Sequence, residues 1–130
     1  LASESIIESE VGEMDKEQCS QAGIDYDAGL NRFMGHQDIY EKYLLLFLKD
    51  ESYRQLEAAM KKGDIKEAFA AGHSMKGVVG NLSMNDLYQA VIPFVDALRG
   101  EGDMAKARKL YPAVKKEYKR VTAFLKTIEQ

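Results

Sequence analysis

Apolar residues recur at intervals of three and four along most of this chain, and that period restricts it to helices. The cleanest stripe is Met104, Ala107, Leu110 or Tyr111, Val114, Tyr118, Val121, Leu125 and Ile128. It predicts a helix over 104–127, capped by Asp103 and kinked at Pro112. Ile39, Tyr43, Leu46, Phe47, Tyr53, Leu56 and Met60 repeat the spacing with one wider step. They predict a single long helix over 37–61, closed by Lys61-Lys62-Gly63. Asp25 is positioned to cap a short helix over 26–34 that Gly35 stops. Asp64 and Glu67 form a D-x-x-E capping box for a helix that fades around 82–85. Ser83 or Asn85 then caps a helix over 86–98, and Pro93 inside it predicts a kink near Gln89 or a break. Nothing alternates apolar with polar as a strand would. The expected fold is all-α: an antiparallel up-and-down four-helix bundle with a short additional N-terminal helix.

A chain of 130 residues fits one domain. Its 18 Lys and Arg against 21 Asp and Glu give a formal net charge of −3, which argues against nucleic acid as the main partner. No apolar run approaches the roughly 20 residues that span a bilayer, so no membrane insertion is expected. The single Cys19 cannot form an internal disulfide, which fits a reducing, cytoplasmic setting. Residues 1–23 are rich in Glu and Ser and read as a flexible acidic tail or linker, not a signal peptide, with the folded domain at 24–130. A start at Leu1 followed by that stretch points to a piece of a longer protein, and the domain is expected to be monomeric.

The stretch Asp64–Leu82 is unusual as an amphipathic helix. At roughly 100° per residue, Ala68, Ala71, Gly72, Met75, Val78, Val79 and Leu82 share one apolar side. The other side carries Lys66, Ala70, His73, Lys76, Gly77 and Gly80. An outer face normally bears long charged side chains. Here one imidazole and one ammonium stand among residues with almost no side chain. Each glycine costs a helix about 1 kcal/mol relative to alanine, so close approach by another molecule is the natural reason for them.

Other chemistries find little support. There is no G-x-S-x-G elbow and no phosphate-binding glycine loop. The residues three before His36 and His73 are Phe33 and Ala70, so the Glu-x-x-His signature of di-metal bundles is missing. One cysteine and two histidines make a zinc site a poor fit, and no metal or other cofactor is expected on this chain. His36 reads as a surface or capping side chain. His73 reads as a nucleophile, because a neutral imidazole nitrogen attacks well near neutral pH. Lys76 lies beside it and can offset the charge of an incoming phosphoryl group.

At these residues the chain resembles the histidine-containing phosphotransfer (HPt) domains of phosphorelays. Their helix reads roughly A-H-x-L-K-G-x-x-x-x-[IL]-G. Here it stands as Gly72-His73-Ser74-Met75-Lys76-Gly77, followed by Val78-Val79-Gly80-Asn81-Leu82-Ser83. Gly72 departs from the usual alanine, Met75 from leucine and Ser83 from the usual glycine, and Pro93 falls where the family has a plain helix. The likeness runs from about residue 24 to 128. It implies that His73 accepts a phosphoryl group from a receiver-domain aspartate and passes it to another receiver, with Lys76 stabilising it and Gly77 leaving room for the partner. The partners implied are receiver domains of response regulators or of a hybrid sensor histidine kinase, which supply Mg²⁺. The chain would be a carrier and not an enzyme with its own ATP site. Phe69, Ala70, Gly77, Gly80 and Lys66 are the expected partner contacts. The alternative is a helical module that docks receivers without transfer.

Overall fold

The computed structural model describes residues 14–129, and all regular structure among them is helical. The order is α1 (Lys16–Gln21), α2 (Tyr26–Arg32), α3 (Gln37–Leu46), a 3-10 turn (Phe47–Lys49), α4 (Ser52–Lys62), α5 (Ile65–Asn81), α6 (Asn85–Leu98) and α7 (Met104–Ile128). Three aspartates cap as their positions predict. Asp25 accepts from the Ala28 amide at 3.1 Å, Asp64 from Glu67 at 3.0 Å and Asp103 from Lys106 at 3.0 Å. Each such cap stabilises its helix by about 1 kcal/mol. Gly63 closes α4 in the left-handed conformation, with φ 73°.

The expected helix over 37–61 is two helices. Asp50 is extended, with ψ 132°, and its carboxylate accepts from the Ser52 amide at 2.9 Å and from the Ser52 hydroxyl. Such a local side-chain bond competes with the helical ladder and turns the chain between α3 and α4. The short helix ends at Arg32 instead of Met34, and Met34 itself is left-handed. Met84, not Ser83 or Asn85, occupies the cap position of α6 and makes no side-chain cap. Neither proline breaks its helix. Pro93 and Pro112 lie on exposed faces, where water can serve the carbonyls that proline leaves unpaired.

The expectation of a tail through residue 23 needs correction over residues 14–23, while 1–13 lie outside the described residues. Asp15 caps α1, and Met14, Cys19 and Ala22 are buried. Their polar tie is Glu41, itself buried on α3. Its carboxylate accepts from the Met14 amide at 3.2 Å, the Tyr26 hydroxyl at 2.5 Å and the Gln37 side-chain amide at 3.2 Å. A buried carboxylate is costly unless so paired. The sequence hid this arrangement because Met14 and Cys19 are isolated apolar residues among charges.

From α4 onward, consecutive helices pack on one another, α4 on α5, α5 on α6 and α6 on α7, while the 3-10 turn touches α7. Leu56, Met75, Val79, Leu87, Val91, Phe94 and Leu125 are almost wholly buried between them, each worth about 1.5–3 kcal/mol of apolar burial. Two ties hold α2 and α3 against the end of α5. Tyr40 is fully buried and its hydroxyl donates to the Leu82 carbonyl at 2.8 Å. A Cβ on Gly29 would overlap the Tyr40 phenol, so only glycine lets α2 come so near. The backbone also crosses over, with the Asp25 amide donating to Ser83 O at 2.9 Å and Asp86 to Gly23 O at 3.2 Å.

Ser83 stands at φ 56° and is buried, with no hydrogen-bond partner for its hydroxyl among the described residues. A left-handed position explains why a glycine is usual there in the resembling family. Ser83→Gly should raise stability by about 1 kcal/mol in urea unfolding, as backbone strain and an unpaired buried hydroxyl are both removed. A loss of stability would contradict this account.

Alkaline pH should weaken the fold. Burial, then the nearby Glu41 and Asp15 carboxylates, push the Cys19 thiol from 9.0 up to about 11. The folded thiol therefore keeps its proton where the unfolded one has lost it. Its contribution is intact below pH 9 and is lost as pH rises to about 11, at most about 3 kcal/mol. Burial raises Tyr26, Tyr40 and Tyr53 as well, extending the loss to higher pH. Unfolding free energies measured from pH 7 to 11 should fall above pH 9, with a shallower fall in Cys19→Ala. An identical slope in that variant would remove Cys19 from the explanation.

Candidate functional site

Helix α5 buries Ala68, Ala71, Gly72, Met75 and Val79 and exposes His73. The buried side chains are small for a reason. A Cβ on Gly72 would lie 3.1 Å from Val95 Cγ2 on α6, so glycine allows the two helices to close together. The outward face follows from this inward packing. His73 and Gly77 are exposed one turn apart, and Lys76 is half-buried beside them.

An open groove runs from His73 towards α6 and α2. Arg32, His73, Lys76, Gly77, Gly80, Asn81, Asn85, Tyr88 and Gln89 line it. Neither Arg32 nor Lys76 has an ion-pair partner among the described residues. The two glycines differ. Nothing lies within 4 Å of a Cβ placed on Gly77, whereas one on Gly80 would come within 3.0 Å of the Tyr88 ring. Gly77 therefore leaves open space, while the room above Gly80 is taken by a side chain of α6.

On the other side of His73, the Phe69 ring lies nearly parallel to the imidazole, at 13° with centroids 5.7 Å apart. The Arg99 guanidinium sits 5.2 Å from the Phe69 centroid and within 3.5 Å of Asp96. Of the residues singled out from sequence, the structure brings His73, Lys76, Gly77 and Gly80 into one groove. It sets Phe69 against His73, outside the groove. Ala70 is exposed one turn before the histidine, and Lys66 is exposed nearly two turns before it, away from the groove. Sequence reasoning missed Arg32, Tyr88 and Gln89. The last two follow once α6 is folded back against α5. Arg32 carries no local signal at all.

A second, more apolar groove adjoins the first at Asn81, lined by Phe33, Tyr43, Leu46, Phe47, Val78 and Leu82 with Lys49 and Asp50 at its rim. Tyr43 and Leu46 are 48% and 41% exposed, so this groove presents large apolar side chains to solvent.

A family model, the Hpt domain, matches residues 49–124, more than half of the chain. The chain belongs to the Hpt domain family. The match spans α4 to α6 and most of α7, and it contains His73, Lys76 and Gly77. Hpt domains are phosphoryl carriers of phosphorelays, not kinases. No curated protein and no solved structure matches the chain. Helices α1 to α3, and with them Arg32 and much of the apolar groove, lie outside the matched segment. Among the described residues no helix is long and apolar enough to cross a membrane.

The unequal surroundings of the two glycines give a test. Gly77→Ala should stabilise the domain by up to about 1 kcal/mol through helix propensity alone. Gly80→Ala should gain less or lose, because Tyr88 must shift. Chemical denaturation of both variants checks this, and equal gains would refute the packing role of Gly80.

Proposed function

We propose that this Hpt domain carries a phosphoryl group on His73, taken from a receiver-domain aspartate and delivered to the aspartate of another receiver. The carrying observation is the placement of His73 itself, exposed on the family-matched helix beside Lys76 and the open Gly77. An imidazole nitrogen attacks phosphorus, the nitrogen–phosphorus bond forms, and the aspartyl oxygen leaves with the electrons of the bond it breaks. The reverse sequence loads the next receiver. Lys76 offsets the charge of the phosphoryl oxygens as they arrive. Magnesium belongs to the receiver in this scheme.

The receiver is read as covering the groove and the ground before it, touching Phe69, Ala70, Gly77, Gly80 and Lys66. The adjoining apolar groove supports a docked protein partner, because apolar surface of this kind gains from being covered. Such receivers belong to response regulators or a hybrid sensor kinase. The stacking of α4 on α5, α5 on α6 and α6 on α7 supports an antiparallel up-and-down bundle beneath the site. A monomeric, cytoplasmic domain completes this reading.

Incubation with radiolabelled phosphorylated receiver domains should transfer an acid-labile, base-stable label to the protein. His73→Gln should abolish it, and Lys76→Ala should slow it by about 10-fold, the scale of one lost charge contact in the transition state. A label that persists in His73→Gln would refute the assignment.

A further inference from the structure

The groove beside His73 has an uneven charge. Its lining holds two cations, Arg32 and Lys76, with the amides of Asn81, Asn85 and Gln89 and the phenol of Tyr88, but no carboxylate. The whole chain is formally −3, so this is a local concentration of positive charge. The nearest acids in sequence on the same helices are directed elsewhere. Asp27 of α2 and Asp86 of α6 line a different cleft. There Asp27 pairs with Lys16 at 3.0 Å and Asp86 with Arg120 at 2.8 Å. The charges of Arg32 and Lys76 are left uncompensated on the groove side.

The two cations come from separate elements. Lys76 rises from α5 itself, three residues after His73. Arg32 ends α2, whose position is set by the Gly29–Tyr40 contact and by the Tyr40 hydroxyl on Leu82 at the end of α5. A guanidinium with several donors in one plane is suited to bind two oxygens of a phosphoryl group at once, where an ammonium acts as a point charge. We propose that Arg32 is a second phosphoryl-binding residue, whose guanidinium reaches the non-bridging oxygens of a phosphoryl group on His73 from the α2 side while Lys76 reaches them from α5. This rests on the phosphotransfer reading and extends it to a helix outside the family-matched segment.

The test uses phosphoramidate, a small chemical donor that needs no receiver, on the full chain carrying His36→Gln so that His73 is the one histidine. The ³¹P resonance of the phosphohistidine is then titrated with pH. Nearby cations favour the more highly charged oxyanion, so removing one raises the titration midpoint. Arg32→Ala should raise it by about half a pH unit, Lys76→Ala by a similar amount, and the double variant by more than either. Arg32→Lys, which keeps a cation there, should show only part of that rise. A merely structural role for Arg32 would leave the midpoint in place, and an unchanged midpoint in a variant with wild-type circular dichroism overturns the proposal. So does a failure of phosphoramidate to label His73. Labelling by phosphoramidate with the Arg32 shift, but no uptake from phosphorylated receivers, would overturn the relay reading and leave the anion site standing.

Discussion

Val95 Cγ2 lies 3.1 Å from where a Cβ on Gly72 would sit, and that close approach governs much else in the molecule. Ala68, Ala71 and Gly72 present almost no bulk to α4 and α6, so both neighbours can close on α5 and bury Met75 and Val79 completely. The inward face is thereby held, and the outward face has no freedom to rotate. His73 stands in solvent because its helix is locked from behind. Dispersion contacts of this kind are individually tiny but numerous. They outweigh the propensity cost of the glycines, which is about 1 kcal/mol each.

The features that could be read from the sequence are those with local causes. Asp25, Asp64 and Asp103 cap within three residues of themselves, and the apolar stripes describe one face of one helix at a time. The errors share a tertiary origin. Continuous spacing through Leu46, Phe47 and Tyr53 concealed the turn at Asp50, and it also hid that Ile39, Tyr43 and Leu46 are exposed while Tyr40, Leu44 and Phe47 are buried. Residues 14–23 looked like a tail, yet Cys19 is a fully buried core residue of a helix tied down where Glu41 accepts from the Met14 amide. His73, Lys76 and Gly77 were legible because they share one helix. Arg32 and Tyr88 reach the groove from other helices, and no pattern in one segment could place them there. Gly80 is the instructive intermediate case. Its lack of a side chain was visible, but the reason for it sits on α6.

Charge is partitioned with similar economy of means. Exposed ion pairs such as Asp27 with Lys16 contribute little to stability, typically less than about 1 kcal/mol. Arg120 contributes more as a fastener. It meets Asp86 and Glu117 at 2.8 Å each and also donates to the Gln21 carbonyl, so one side chain joins α7, the start of α6 and the end of α1. These pairs also keep acids out of the His73 groove. An approaching oxyanion then meets Arg32 and Lys76 without a competing carboxylate in the lining, and the positive field there is screened only by solvent and salt.

The surroundings of the imidazole are asymmetric along α5. Towards the start of the helix, Phe69 lies parallel to the ring and Arg99 lies against Phe69. Towards its end, Gly77 offers open space and the groove begins. A ring flanked on one side loses rotational freedom, which lowers the cost of holding it in one orientation when a partner arrives. The open side is where both unpaired cations lie, and the apolar surface of Tyr43 and Leu46 continues from it through Asn81. Orientation, charge and contact area thus favour the same direction of approach, from Gly77 towards His73.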